Sequence, residues 1–165
     1  MPTPAPTVRR AVPRDANDLY ELSLRAIEVS AAAHYTSGQR AAWSRRRSLD
    51  GHLWMITETA AFVALDEGRV AGFATVALRP VDRLCRGEVD QLFVGPEHGG
   101  RGVARLLLET VEEAARADGV TELVTHASWR AAPVFERLGY LRDEVETVHL
   151  DDQTLGRVRM RKPLS

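Results

Sequence analysis

Hydrophobic and polar positions repeat with two different periods along the chain, and each period predicts one kind of element. A period of two residues predicts strands at 7–12, 61–65, 70–77, 88–94, 122–127, 144–150 and 155–160. A helical spacing predicts helices at about 15–34, 39–47, 103–118 and 130–138. Gly51 is expected to break the chain before a short apolar run at 52–56. The order is therefore strand, two helices, three strands, helix, strand, helix and two strands.

This order of elements predicts an α/β fold in which helices cover both faces of one mixed sheet. The segments 61–65 and 70–77 form the clearest hairpin, because a four-residue turn that includes Gly68 separates two β-prone stretches. The strand, helix and strand of 88–127 require a parallel crossover. Residues 1–6 are proline-rich and are expected to form a loose tail, so 7–165 is predicted to be a single domain.

The connection between the fourth predicted strand and the following helix is rich in glycine. It contains Gly99, Gly100 and Gly102. Glycine permits backbone angles that other residues avoid, and a helix start presents unpaired N–H groups with partial positive charge. Arg101 and Arg105 add full charges. This glycine loop, residues 99–104, is therefore a candidate phosphate site, and the alternative is a tight connection with its arginines in solvent.

Two nucleotide motifs can be compared with the glycine loop, and neither fits. A P-loop ends in Gly-Lys followed by Ser or Thr, and the loop lacks that ending. A dinucleotide fingerprint needs a glycine three residues after its second glycine, and counting from Gly100 and Gly102 that position is Arg105. A nucleotide-binding switch protein is therefore disfavoured.

The composition is ordinary for a globular protein. Of the 165 residues, 44% are apolar and 27% are charged, and the formal charge is −1. This balance favours neither nucleic acid nor a membrane surface as a partner, and no apolar run approaches the roughly 20 residues of a membrane span. The first residues lack a secretory signal and Cys85 is the only cysteine, so we expect a cytoplasmic protein. The five histidines have no tight ligand spacing, so no catalytic metal is expected.

Several segments, in the same order along the chain, resemble the GNAT superfamily of N-acetyltransferases. The glycine loop is similar to the family signature Gln/Arg-x-x-Gly-x-Gly/Ala: Gly102 and Ala104 match it, and Gly99 stands at the first position. The hairpin at 61–77 and the run Phe-Glu-Arg-Leu-Gly-Tyr at 135–140 resemble two further parts of the pattern. The resemblance covers nearly the whole chain and is specific to a bacterial branch whose members are mostly uncharacterised.

The resemblance implies the GNAT acyl-CoA N-acyltransferase fold, with a mixed, mostly antiparallel sheet of about seven strands and helices on both faces. It also implies an enzyme that moves an acetyl group from acetyl-CoA to a primary amine of a small molecule or peptide. The alternative is a non-catalytic module that binds acyl-CoA as a sensor or scaffold. A homodimer is the default assembly.

The resemblance further assigns residues to the cofactor. The family binds the pantetheine arm along a strand edge and the pyrophosphate at the glycine loop, and two more contacts follow the next strand. The matching residues here are Leu92, Phe93, Val94, Gly99, Gly100, Arg101, Gly102, Val103, Ala104, Arg105, Ser128 and Ala131. The parallel strands at 88–94 and 123–127 are expected to splay and admit the cofactor.

Acetyl transfer needs a group that takes the proton of the amine. Asp90 matches a position where the family often has glutamate, and its even spacing predicts a strand face shared with Glu88 and Leu92. The alternative for Asp90 is a solvated or arginine-paired carboxylate. His126 is the rival base, because its ordinary pKa suits proton transfer.

The leaving thiolate needs an acid or release into solvent. The usual acid of the family is a tyrosine, but Phe135 stands at the matching position and has no proton to donate. Ser128, Tyr140, a water molecule or no acid at all remain as alternatives.

The acceptor side of the family's site is built from the region before the hairpin. That region carries His34, Tyr35, Trp43, His52 and Trp54, which are candidates to line a pocket for the amine. The alternative is that these side chains pack in the core, as aromatic residues at helical spacing often do.

Overall fold

The computed structural model describes residues 2–165, and seven strands form one sheet. The strands are β1 (Thr7–Arg10), β2 (Ala60–Asp66), β3 (Arg69–Val76), β4 (Glu88–Val94), β5 (Glu122–Ser128), β6 (Leu141–Leu150) and β7 (Gln153–Pro163). The helices are α1 (Ala16–Val29), α2 (Ser37–Arg45), α3 (Leu49–Glu58), α4 (Val103–Ala117) and α5 (Ala132–Arg137). Short 3-10 turns lie at Pro13–Asp15, Ser30–Ala33 and Pro96–His98.

The strand order is β1-β2-β3-β4-β5-β7-β6, and every neighbouring pair is antiparallel except β4 and β5. Helix α4 connects the parallel pair, since parallel strands need a long crossover. The predicted mixed, mostly antiparallel sheet is therefore confirmed, and so is the hairpin of β2 and β3.

Two hydrophobic cores lie on opposite faces of the sheet. Helix α4 buries Val103, Leu107, Leu108, Val111 and Ala115 in the first core. Helix α1 packs Leu19 and Leu22 in the second, against Phe73. Phe73 and its neighbour Ala74 belong to different cores, as expected for a strand that is covered on both faces. Each fully buried large apolar side chain stabilises the fold by about 1.5–3 kcal/mol.

The predicted chain break at Gly51 is wrong, because Leu49–Glu58 forms the continuous helix α3. The hydroxyl of Ser48 caps this helix and accepts a 3.0 Å hydrogen bond from the N–H of Gly51. A glycine in a helix costs about 1 kcal/mol relative to alanine. The cap and the burial of Met55 and Ile56 offset that cost.

Several strand boundaries also differ from the predicted ones. Strand β1 ends at Arg10, β6 begins at Leu141 and β7 extends to Pro163. The first half of β6 is exposed on both faces, because this strand forms one edge of the sheet. An exposed edge strand carries mostly polar residues, so its start has no apolar period that would reveal it.

A β-bulge interrupts β4. Val89 and Gln91 pair with adjacent residues of β3, so Asp90 is one extra residue on β4. Val89 and Leu92 consequently both pack on the α4 side of the sheet. The prediction that Glu88, Asp90 and Leu92 share one face is therefore wrong, because the bulge reverses the alternation between them.

Strands β4 and β5 separate soon after they begin to pair. Their register contains only two pairs, Glu88 with Val124 and Val89 with Thr125. The Thr125 hydroxyl donates a 2.8 Å hydrogen bond to the Val89 carbonyl at the last of these pairs. The predicted splay is confirmed, and we call the opening that follows the strand gap.

Three further features concern the described part of the chain. No helix within residues 2–165 has both the length and the hydrophobicity that a membrane span needs. The same residues contain no group of three or more His, Cys, Asp and Glu side chains that could hold a metal ion. Cys85 is an exposed free thiol.

Candidate functional site

The glycine loop lies at the start of α4 and leaves this helix end open. Gly100 and Gly102 have φ angles of 74° and 77°, values that favour glycine. Gly102 is the N-cap, and no side chain caps α4 among the described residues. A Cβ built on either glycine would meet no atom within 4 Å. The first N–H groups of the helix, from Val103, Ala104 and Arg105, therefore form an open cradle suited to phosphate.

The two arginines beside the cradle are bonded to carboxylates. Arg101 donates to Asp66 at 2.9 and 3.2 Å and to the Pro4 carbonyl at 2.9 Å. Arg105 donates to Glu109, one turn further along α4, at 2.8 Å. The main positive charge available to a phosphate is therefore the partial charge of the helix start. Arg101 has a structural role, because it links the loop to Asp66 at the end of β2.

The salt bridge between Arg101 and Asp66 makes the stability of the fold depend on pH. Hydrogen bonds from Arg101 lower the pKa of Asp66, and His98 adds to the effect. Since the carboxylate form is the one stabilised, the salt bridge contributes stability above the unfolded pKa of about 3.9 and loses it as the pH falls through the lower folded pKa. We expect Asp66→Asn to melt below the wild type at neutral pH, with a difference that shrinks toward about pH 2.

Thermal unfolding curves across this pH range measure the effect. Arg101→Gln removes the two guanidinium donors of Asp66 and leaves His98 in place, so it should show most of the weakened pH dependence of Asp66→Asn. Parallel curves for the wild type and both variants would contradict the prediction.

The strand gap has one wall on β4 and the other at the end of β5. Leu92, Phe93 and Val94 pair with β3 on one edge and have no β5 partner on the other. Across the gap, the Ser128 hydroxyl accepts a 3.1 Å hydrogen bond from the Ala131 N–H. The gap therefore offers unpaired backbone groups and one hydroxyl to a ligand that enters between the strands.

A cavity of about 190 Å³ lies beside the bulge of β4, and we call it the bulge cavity. Its lining includes Arg47, His52, Trp54, Asp90 and Gln91. The Asp90 carboxylate accepts a 2.9 Å hydrogen bond from the Gln91 side chain, which itself accepts one of 2.8 Å from Arg47. One amide thus connects a carboxylate and a guanidinium on the wall of the cavity.

The two candidate bases lie at the mouth of the strand gap, because each directly follows the last paired residue of its strand. The Nδ1 atom of His126 shares a 2.8 Å hydrogen bond with Glu146, and Glu146 also accepts one of 2.9 Å from Arg157. Asp90 accepts only from the Gln91 amide, so one of its oxygens has no partner among residues 2–165. Each candidate base thus keeps one atom without a partner among residues 2–165, a carboxylate oxygen of Asp90 and Nε2 of His126.

The residues predicted to line an acceptor pocket are divided between two places. Trp54 lines the bulge cavity, whereas His34 is exposed. Tyr35 is buried, and its hydroxyl donates to a β7 carbonyl at 2.7 Å and accepts from the Trp129 N–H at 3.0 Å. Trp43 packs edge-to-face on Tyr35 with 5.8 Å between ring centroids. Tyr35 and Trp43 therefore connect the α2 region to β7.

Ser128 and Tyr140 are the two hydroxyls that could protonate the leaving thiolate, and they lie near opposite ends of β5. Phe135 is buried and packs edge-to-face on Tyr140, with 4.9 Å between ring centroids. Lys162, which pairs with Leu123 at the start of β5, lies over the Tyr140 ring. Burial raises the pKa of Tyr140 and makes its hydroxyl a weaker acid. Ser128, at the other end of β5, lies on the part of that strand that no longer pairs with β4.

Arg47 and Gln91 belong to the bulge cavity although no sequence pattern predicted them. Arg47 is the last of three consecutive arginines, a composition typical of an exposed surface. Gln91 follows the bulge, which a strict period of two does not reveal. The one indication in the sequence that Gln91 belongs to the site is that it directly follows Asp90, a predicted site residue.

A mostly antiparallel sheet whose parallel strands splay beside an open, glycine-rich helix start defines an acyl-CoA-dependent transferase fold. The chain belongs to the acetyltransferase (GNAT) family, whose profile matches residues 18–140. The predicted family membership is confirmed, and the protein is an acyltransferase.

Similar proteins agree with this assignment. The chain is 30% identical over 135 residues to an uncharacterized N-acetyltransferase, YafP, of Escherichia coli K12, covering 81% of this chain and 79% of that protein. A GCN5-related N-acetyltransferase structure from Rhodopseudomonas palustris superposes with a TM-score of 0.87 at 27% identity over 99% of both chains. The structure of yncA from Salmonella typhimurium with its cofactor acetyl-CoA gives 0.73 at 21%, over 98% of this chain and 95% of that one. The predicted GNAT fold is confirmed.

Proposed function

We propose that this protein moves an acetyl group from acetyl-CoA to a primary amine of a small molecule or peptide. The observation that carries the proposal is the open cradle at Gly100 and Gly102 beside the strand gap, since the two fit the pyrophosphate and the pantetheine arm of CoA. Acetyl-CoA would supply the acetyl group as a thioester. The N–H groups at the start of α4 would hold its pyrophosphate, and the free edge of Leu92–Val94 would hold the pantetheine arm.

In this proposal Asp90 is the general base. An amine attacks a thioester carbonyl only as the neutral species, so its proton must first leave. Asp90 lines the bulge cavity and has one carboxylate oxygen without a protein partner among the described residues, which suits it to take this proton directly or through water. His126 is the second candidate, with one ring nitrogen bound to Glu146.

Ser128 is the proposed donor to the departing thiolate. Its oxygen accepts from the Ala131 N–H, and no described residue accepts its hydrogen, so the O–H is free to donate. Phe135 supplies no hydroxyl, and the Tyr140 hydroxyl is buried near the start of β5. The proton would pass from Ser128 to the sulfur as the carbon–sulfur bond breaks, while a water molecule returns a proton to the Ser128 oxygen, unless the thiolate leaves directly into solvent.

Release of free CoA thiol from acetyl-CoA across a panel of primary amines and short peptides tests this proposal. We expect turnover with at least one acceptor and an acetylated product in the mass spectrum. The rival function, an acyl-CoA sensor or scaffold, predicts binding of acetyl-CoA in calorimetry and no modified acceptor. That combination of results would overturn the catalytic proposal.

We further propose a homodimer in the bacterial cytoplasm. Homodimers are the commonest closed assemblies, and the edge strand β6 exposes 51% of Leu141 and 64% of Val145, which a second copy would cover. The E. coli relative supports a bacterial origin, and an exposed Cys85 thiol is compatible with a reducing compartment. Light scattering decides the assembly, since a dimer has twice the 18.3 kDa of one chain.

A further inference from the structure

Neutral groups hold the Arg47 guanidinium beside the bulge cavity. It donates to the Gln91 side chain at 2.8 Å, to the His52 ring at 3.0 Å and to the Ser23 hydroxyl at 3.3 Å. It also lies over the Phe93 ring, 4.8 Å from the ring centroid. Within residues 2–165 no carboxylate comes within 4.0 Å of it. These contacts fix the position of the guanidinium without neutralising its charge.

The neighbouring titratable groups leave Arg47 without a direct ion pair: Asp90 favours its charged form only from a distance, and Asp82, which also lines the cavity, makes no salt bridge to it. Burial lowers the pKa of Arg47 to about 10, so it stays protonated at neutral pH. Burial also lowers the pKa of His52, whose Nδ1 donates to the Ser48 carbonyl at 2.7 Å, so its neutral ring accepts from Arg47. Asp90 is connected to Arg47 only through the Gln91 amide. A buried charge without a paired counter-ion is costly, so this site is suited to receive an anion.

The free donors of Arg47 match a carboxylate. A guanidinium has five N–H groups, and the three hydrogen bonds of Arg47 use one each on Nε, Nη1 and Nη2. One N–H on each terminal nitrogen remains. Each of these two N–H groups can donate to one oxygen of a carboxylate.

We propose that the acceptor is a small amino acid, whose carboxylate binds Arg47 while its amine lies at Asp90. This inference rests on the proposed function and narrows it from amines in general to amines that carry a carboxylate. The Gln91 amide donates to Asp90 at 2.9 Å and accepts from Arg47 at 2.8 Å, and an α-amino acid offers the same pair of groups, an amine donor and a carboxylate acceptor, separated by two carbons instead of one.

The size of the bulge cavity agrees with such an acceptor. Its volume of about 190 Å³ lies below the roughly 300–1,000 Å³ of pockets that enclose drug-sized ligands. The N-terminus of a peptide would bring an uncharged amide, rather than a carboxylate, to the position of Arg47. The charge of Arg47 therefore favours a free amino acid over a peptide.

The test compares kcat/KM of the wild type for matched pairs of acceptors. Each pair consists of a small amino acid and the amine in which hydrogen replaces the carboxylate. We expect the amino acid to be preferred by about 100-fold, because the amine leaves a built, charged hydrogen-bonding site unpaired. Equal rates within the pairs, or a preference for the amine, would overturn the inference and leave the acetyltransferase activity standing.

Variants of Arg47 show whether this residue causes the preference. Arg47→Gln should lower kcat/KM for the amino acid about 30-fold, mainly through KM, and leave the matched amine within about threefold. Arg47→Lys should keep part of the preference, since it retains the charge without the guanidinium. Arg45→Gln is the matched control, because Arg45 pairs with the exposed Asp151 outside the cavity. Equal losses on both members of a pair would show that Arg47 only supports the bulge.

Absence of turnover with every amine would overturn the proposed function, and calorimetry would then decide the inference separately. Amino acids titrated into CoA-saturated protein should bind to the wild type and to Arg45→Gln but not to Arg47→Gln. Failure of every amino acid to bind the wild type would overturn the inference.

Discussion

Gly102→Val is expected to raise the Kd for CoA, measured by calorimetry, by about 100-fold or more. Gly102 has a φ of 77°, and a side chain there would stand in the open space of the cradle. Valine would both strain the backbone and block the approach of a phosphate to the N–H groups of α4. Loss of two such hydrogen bonds, at about 1.5–3 kcal/mol each, accounts for a change of this size.

Gly68→Val is the matched control for this experiment. Gly68 lies in the turn between β2 and β3 with a φ of 78°, and a Cβ there would also meet no atom within 4 Å. Both variants should lose about 1–2 kcal/mol of unfolding free energy, because both force valine into the left-handed region. Only Gly102→Val should lose CoA. Equal CoA affinities for the two variants would mean that the cradle is not the phosphate site.

The glycine loop could be located from the sequence because its chemistry is local. Gly100 and Gly102 adopt conformations that few other residues tolerate, and the helix that follows carries a regular apolar face. Strands β2 and β3 could be predicted for the same reason, since both are largely buried and their turn contains Gly68. A pattern that depends only on the residues of one segment can be recognised without knowing which other segments pack against it.

The bulge cavity could not be predicted, because its parts depend on contacts between distant segments. The extra residue at Asp90 exists only in the pairing of β4 with β3, and it changes which side chains share a face. Three consecutive arginines precede α3, yet only the tertiary fold places Arg47 against Phe93 of β4 while Arg45 remains exposed. Gly51 continues α3 because Ser48 caps it, a compensation that propensity alone does not reveal.

Asp90→Asn is expected to lower kcat by about 100- to 10,000-fold, the usual range for loss of a general base. Asparagine has nearly the shape of aspartate, and its carbonyl can still accept the hydrogen bond from Gln91, so the bulge should persist. It has no carboxylate to take a proton from the amine. The Kd for CoA should therefore stay close to the wild-type value, in contrast to that of Gly102→Val.

Two further variants are compared with Asp90→Asn: His126→Gln tests the rival base, and Asp152→Asn is the matched control. Asp152 is exposed in the turn between β6 and β7, so its amide variant should keep the wild-type kcat. His126→Gln should lower kcat less than tenfold, because Asp90 lines the bulge cavity and His126 does not. Asp90→Asn should therefore lose much more of kcat than His126→Gln does. The opposite outcome, a larger loss of kcat in His126→Gln than in Asp90→Asn, would transfer the role of base from β4 to β5.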